Sequence, residues 1–245
     1  MTGPPRTTEE GDGDGTDRLL AAQRTYYDRR APHYDQWWER RGLYDRGEEE
    51  NRAWQEEIAM VERALGDFGV TGDVLELAGG TGWWTSRLAR TARSLTVVDA
   101  SPQALKRNRR RTGRPDVTYV EADLFSWTPE RRYHVVFFSF WLSHVPRGRV
   151  DAFFDLVAAS LDPTGRVFLV DNRLDPDGGR PDPYVIEYGS DVQRRRLPDG
   201  SEHPVVKVHY EPPDLVALLE GRGWTAQADG TRRLVWASTL AGSAP

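Results

Sequence analysis

Between Asp73 and Asp171 the chain alternates short apolar runs with longer stretches of helical periodicity, and this alternation limits its fold more than any other feature. Asp73 to Ala78 reads as a strand, followed by the glycine turn Gly79-Gly80-Thr81-Gly82 and a helix reaching Arg90. Ser94 to Asp99 forms a second strand, and Ser101-Pro102 opens a helix with proline at its first position. Val117 to Glu121 is a third strand. Tyr133 to Phe140, the fourth, is nearly all apolar, as a strand covered on both faces requires. Gly148 to Leu161 is helical and Gly165 to Asp171 is the fifth strand. Strands separated by helices must pair in parallel, which predicts a doubly wound α/β sheet.

The flanks differ from this middle. Residues 1–17 carry almost no apolar side chains and are expected to form a disordered tail. Residues 18–66 read as a helical cap or lid. Leu19, Leu20, Gln23, Tyr26 and Tyr27 lie on a first helix. A second, about Glu48 to Leu65, spaces Trp54, Ile58, Val61 and Leu65 along one face and ends at Gly66 and Gly69. Residues 67–245 make the core. Late in the chain, Gln193 to Leu197 and His203 to Tyr210 flank Pro198-Asp199-Gly200 as a hairpin. A helix over Asp214 to Glu220 follows, then strands at Gly223 to Ala228 and Arg232 to Ser238. The whole predicts a Rossmann-like seven-stranded sheet, last strand antiparallel, with an N-terminal helical cap and a late β-hairpin insert.

Composition removes several classes of function. The 245 residues include no cysteine, which excludes disulfides, zinc–thiolate sites and a cysteine nucleophile. A formal net charge of −5 argues against a nucleic-acid or anionic-membrane partner. The longest apolar run, Val135 to Leu142, falls far short of the ~20 residues that span a bilayer. A cytoplasmic, soluble protein, monomer or homodimer, is the expectation. The five histidines show no ligand spacing, so no metal site is expected.

In doubly wound sheets, ligands bind beyond the carboxyl ends of the strands. Gly79, Gly80 and Gly82 sit there and let a ligand approach bare backbone. A phosphate loop would need a Lys-Ser/Thr after the glycines, and a dinucleotide fingerprint needs different glycine spacing. Asp99, at the end of the second strand, is placed to accept from both ribose hydroxyls. Asp123, at the end of the third, is placed to accept from an adenine amine.

The segment Glu76-Leu77-Ala78-Gly79-Gly80-Thr81-Gly82, with Asp99 and Asp123, resembles the signature of class I S-adenosylmethionine-dependent methyltransferases, with Ala78 in place of the first glycine. The resemblance covers roughly Tyr26 to Ser238. It implies S-adenosylmethionine as cofactor, S-adenosylhomocysteine as product, and Glu76 holding the methionine ammonium. Ala78, Gly79, Gly80 and Gly82 would line that moiety, with Ala100 and Leu124 packing on the adenine ring. Tyr26, Tyr34 and Ser139 are further cofactor candidates. Within the family the chain is most similar to bacterial small-molecule enzymes, often of secondary metabolism.

Methyl transfer requires chiefly that the acceptor be positioned and, where it carries a proton, that the proton be removed. His144, just past the fourth strand, is the candidate general base; its alternative is to brace the loop. Asp171 is a second catalytic candidate, or a loop-start residue. Trp38, Trp141, Arg173, His209 and Tyr210 are candidates for the acceptor pocket. O- or N-methylation of a small molecule is the leading expectation. The rivals are a non-methylating protein that binds the cofactor and a C-methyltransferase of a quinone-like acceptor.

Overall fold

Helix α1 (Asp12–Arg30) opens the part of the chain that the computed structural model describes, residues 12–175 and 182–240. It begins inside the stretch expected to be disordered, of which residues 1–11 lie outside the described residues. Asp17 is held by Arg149 at 2.9 Å, a contact across the fold that composition cannot reveal. The short α2 (Asp35–Trp38) leads to α3 (Glu48–Phe68). Three glutamates in the first turn of α3 complement the positive end of the helix dipole. Gly69, left-handed at φ 71°, caps it, so the helix runs two residues beyond Gly66 before it ends.

The alternating core follows as β1 (Asp73–Leu77), α4 (Thr85–Leu88), β2 (Ser94–Asp99), α5 (Pro102–Thr112), β3 (Thr118–Glu121), β4 (Tyr133–Ser139), α6 (Val150–Ser160) and β5 (Leu161–Asn172). Ser101 caps α5 by accepting from the Ala104 amide at 3.0 Å. Instead of the long helix expected after the glycine turn, α4 is a single regular turn, after which Arg90, Thr91 and Ala92 continue in mixed three- and four-residue bonds.

The C-terminal third holds β6 (Val185–Tyr188), β7 (Val192–Arg196), β8 (Glu202–Val206), α7 (Pro212–Glu220), β9 (Ala226–Gly230) and β10 (Leu234–Thr239). The insert is a three-stranded antiparallel sheet, β6-β7-β8, rather than a two-stranded hairpin. Its last strand stops at Val206, because Val208 turns away to donate to the Ser143 carbonyl.

The main sheet has the order β3-β2-β1-β4-β5-β10-β9. The first five strands are parallel and β10 pairs antiparallel with both neighbours, the Rossmann-like arrangement expected. Along β4, Val136 and Phe138 join the core that contains Phe153, Phe154 and Val157 of α6. Val135 and Phe137 join the opposite core, with Trp54, Ile58 and Val61 of α3. Burial of both faces explains why β4 lacks polar alternation.

The site is positioned by α1, which crosses the carboxyl ends of the strands. Gln23, 3% exposed, docks it: its Nε2 donates to the His144 carbonyl (3.0 Å) and its Oε1 accepts from the Val206 amide (2.9 Å).

The turn after β1 supplies a test. Gly82 sits at φ 88°, and a Cβ there would stand 2.8 Å from Asn108 Cγ and 2.9 Å from its Cα. Gly82→Ala is expected to destabilise the protein by about 1–3 kcal/mol through backbone strain and displacement of α5. Chemical denaturation should show a lowered midpoint.

Candidate active site

A cleft of about 1020 Å³, its open mouth included, lies between α1 and the ends of β1 to β4. Its floor is the turn after β1. Ala78 and Gly80 are left-handed (φ 55° and 53°), which brings their backbone to the surface. Gly79 lies so close to β2 that a Cβ would stand 2.3 Å from Val97 Cγ1. Asp99 fastens the turn: Oδ2 accepts from the Gly80 amide and Oδ1 from the Ser101 amide, each at 2.8 Å. Burial nevertheless holds its carboxyl above the usual aspartate range.

Beneath the turn, Asn108 has no exposure, and its Nδ2 reaches the carbonyls of Gly79 (3.2 Å) and Gly80 (3.3 Å) and the Thr85 hydroxyl (2.7 Å). Thr85 donates onward to Glu76 Oε2 at 2.5 Å. Glu76 and Gly82 therefore lie behind the floor, while Ala78, Gly79 and Gly80 line the cleft. Burial pushes the Glu76 carboxyl up to about 8, opposed by the Thr85 hydrogen bond and reinforced by the charge of Asp99.

The side walls hold Asp99, Ala100, Asp123, Leu124 and Ser139, all anticipated from the sequence. Asp123 receives the Phe125 amide on Oδ1 (3.1 Å) and Arg24 of α1 on Oδ2 (2.6 Å). An aromatic wall closes the far end, where Trp38 stacks on Trp83 with centroids 4.9 Å apart and meets Phe140 at 5.2 Å. Trp141 lines the cleft as well.

The roof is one stripe of the N-terminal segment: Leu20, Gln23, Arg24, Tyr27, Ala31 and Tyr34. Their spacing of three, one, three, four and three is that of a single helix face. Tyr34 sits as anticipated, but Tyr26 does not. One residue along a helix rotates the side chain by about 100°, so Tyr26 is wholly buried with Tyr44, Tyr184 and Val205 under the small sheet. Tyr27 takes its place in the cleft, and the stripe was the signal that could have found it.

His144 is 6% exposed and its ring is fixed at both nitrogens. Nδ1 lies 2.6 Å from the Val206 carbonyl, which only an N–H can satisfy, so Nε2 is the acceptor facing the Tyr27 hydroxyl at 2.7 Å. Arg195 Nη1 donates to the same hydroxyl at 3.3 Å. Burial, then the charges of Lys207 and Arg195, hold the imidazole well below its ordinary pKa. His144 is therefore a neutral ring. Burial likewise raises the Tyr27 phenol and keeps it protonated.

The other anticipated groups lie elsewhere. Asp171 is completely buried, accepting from the Ser143 amide (2.8 Å) and its own neighbour Asn172 (2.7 Å), with Lys207 at 3.6 Å. It lines neither this cleft nor the next, and it braces the loop that carries His144 because strand β5 ends inside the protein rather than at its surface. Tyr210 packs into the core beside Leu215. Arg173 and His209 line a second cavity, of about 1780 Å³ with its mouth, beyond Tyr27. Burial and the Lys207 charge press His209 down to about 4.

The residues 74–165 match a family model described as a methyltransferase domain. The structure titled as a DhpI–SAH complex is 31% identical, covers 91% of this chain and 97% of its own, and superposes with a TM-score of 0.72. The chain belongs to the class I S-adenosylmethionine-dependent methyltransferases. A DhpI–SAM–HEP complex gives the same identity and TM-score over 96% of this chain and 100% of that one. The N-methyltransferase NodS from Bradyrhizobium japonicum WM9, in complex with S-adenosylhomocysteine, shares the fold at 15% identity, with 89% and 97% coverage and a TM-score of 0.61. Among curated proteins nothing matches. The methyltransferase uses S-adenosylmethionine as its cofactor. Among the described residues, no helix is long and apolar enough to cross a membrane.

Glu76 gives a test that needs no ligand. Its folded pKa of about 8 exceeds the ordinary 4.5, so the folded state holds the extra proton between those values. The stability that this proton contributes is complete below pH 4.5 and is lost as pH rises through 8. Glu76→Gln, which keeps an acceptor for Thr85, should gain on the wild type as pH rises. Denaturation of the ligand-free protein at pH 5 and pH 8.5 is expected to show a relative gain of about 1 kcal/mol or more at the higher pH.

Proposed function

We propose that the first cleft holds S-adenosylmethionine under α1, and that the enzyme methylates an oxygen or nitrogen of a small molecule brought against Tyr27 and His144. Gly79 and Gly80 present bare backbone to the methionine part. Asp99, already oriented by two amides, keeps lone pairs for the ribose hydroxyls. Asp123 accepts the adenine amine where Arg24 now sits, with Ala100 and Leu124 flanking the ring. Glu76 sits behind the turn, where an ammonium bound at the turn would favour its charged carboxylate. Residues 18–66 serve as the cap, since the cleft's roof belongs to them.

The bound cofactor supplies an electrophilic methyl group on a positively charged sulfur. What this chain adds is a place for the acceptor and for its proton. The observation that carries the reading is the Tyr27–His144 pair. The imidazole is neutral, its Nδ1 proton is committed to the Val206 carbonyl, and its Nε2 lone pair meets the Tyr27 hydroxyl. A proton leaving an acceptor hydroxyl or ammonium can pass to Nε2 directly or by way of the phenol oxygen. Arg195 at that oxygen steadies negative charge arising there. A positioned base of this kind contributes about 10²–10⁴-fold.

His144→Ala and Tyr27→Phe are each expected to lower turnover at least tenfold, with cofactor affinity by calorimetry changed less than about threefold. Because the imidazole is held well below 6.5, the wild-type rate should show no inflection between pH 6 and 7. Near-normal turnover in both variants would move the acceptor to a carbon or a neutral amine, where no base is required. Asp99→Ala removes two charge-assisted hydrogen bonds, each about 1.5–3 kcal/mol. Cofactor binding should weaken by roughly 10²–10⁴-fold.

A further inference from the structure

The second cavity is lined by many cations, and most have a carboxylate partner. Arg173 meets Glu211 at 2.5 Å, Arg233 meets Glu57 at 2.7 Å, and Arg232 meets Glu50 at 2.7 Å. Lys207 has Asp171 at 3.6 Å, together with the Ser143 hydroxyl (2.8 Å) and the Asn172 side-chain oxygen (3.1 Å).

Arg195 differs. It is 7% exposed, yet its Nε and Nη2 donate to the Gln193 side-chain oxygen (3.2 and 2.9 Å), its Nη1 donates to Tyr27, and it lies 5.7 Å over the Tyr26 ring, all neutral groups. No carboxylate forms an ion pair with it among the described residues, and Asp182 acts on it only at longer range. A second lining residue, Arg40, lies 3.8 Å over the Trp54 ring, and its buried Nε has no partner. Guanidinium groups are not neutralised by burial, because they do not give up their proton. A buried cation without its counter-charge is unfavourable, and an anion entering the cavity relieves it.

The place of Arg195 gives this imbalance a role. Its Nη1 touches the Tyr27 hydroxyl, and that hydroxyl reaches His144 Nε2 in the first cleft. One phenol oxygen therefore joins the two cavities. Resting on the function proposed above, we infer that the acceptor carries an oxyanion group, a carboxylate or a tetrahedral phospho-type group, which the second cavity holds through Arg195 with Lys207 beside it. The anion neutralises Arg195 and fixes one end of the acceptor. The atom to be methylated then lies at Tyr27, within reach of His144.

The probes are inorganic phosphate and acetate, titrated at constant ionic strength with chloride as the balancing ion into the protein saturated with S-adenosylhomocysteine. Saturable binding of at least one is expected by calorimetry, and the stronger of the two reports whether the site favours a tetrahedral or a planar anion. Arg195→Gln should weaken that binding at least tenfold while affinity for S-adenosylhomocysteine stays within about twofold. Arg195→Lys, which keeps the charge, should recover part of it and guards against a folding defect in the first variant. Absence of saturable anion binding in the wild type overturns the inference, as does binding that both variants leave unchanged. If S-adenosylhomocysteine binds and His144→Ala loses turnover while neither anion binds, this inference alone fails. If S-adenosylhomocysteine itself does not bind, the underlying reading fails with it.

Discussion

The side-chain amide of Asn108 is the contact on which the first cleft depends. Two N–H bonds serve three acceptors, the Gly79 and Gly80 carbonyls and the Thr85 hydroxyl, while Oδ1 accepts from Tyr119 and Thr112, each at 3.1 Å. The chain continues through Thr85 to Glu76, so α5, the turn after β1, α4 and β1 share one buried polar network. Such a network strengthens each member while complete and leaves expensive orphans when cut. Gly82 and Gly79 approach Asn108 and Val97 too closely for a Cβ, so the turn cannot shift unless α5 and β2 shift with it. A rigid floor follows from packing, not from the glycines' freedom.

The roof is built differently. Gln23 gives α1 a buried double attachment, the Tyr27 hydroxyl meets His144 Nε2 at 2.7 Å and Arg30 meets the Tyr44 hydroxyl, while further polar ties lie near solvent. Arg24 and Asp123 are 41% and 29% exposed, and such pairs contribute about 0–1 kcal/mol. Asp28 adds a bond to the Ser101 hydroxyl at 2.6 Å, and Asp35 joins Thr81 to Arg111, each at 2.6 Å. The cleft thus has a floor fixed by a buried hydrogen-bond network and a roof that combines buried ties with exposed ones.

The architecture was legible because strand and helix periods differ and because β4 is apolar on both faces. Asp99 and Asp123, at or just past the carboxyl ends of β2 and β3, were legible because topology dictates where a parallel strand's carboxyl end lies, whereas Glu76 lies behind the floor. What stayed hidden depends on rotation and on contacts distant in sequence. Tyr26 and Tyr27 are chemically alike, and only the helical phase set by Leu20, Gln23 and Arg24 separates them. Asp171 ends its strand as Asp99 does, but Ser143 and Lys207 bury it. Arg195 stands in the run Arg194-Arg195-Arg196, whose charge alone gives no sign that one member is buried. Along β7 alternate residues face opposite ways, so the middle arginine turns inward while its neighbours pair with Glu187 and Glu202 on the surface.

The stripe from Leu20 to Tyr34 has one more consequence. Because a single segment supplies the roof, the contacts it makes to a bound ligand share one backbone, and lifting that segment would release them together. Collective motions of this kind run on microseconds to milliseconds. Asp17 and Asp28, which tie that segment to Arg149 and Ser101 without lining the cleft, thus bear on ligand exchange through the segment alone.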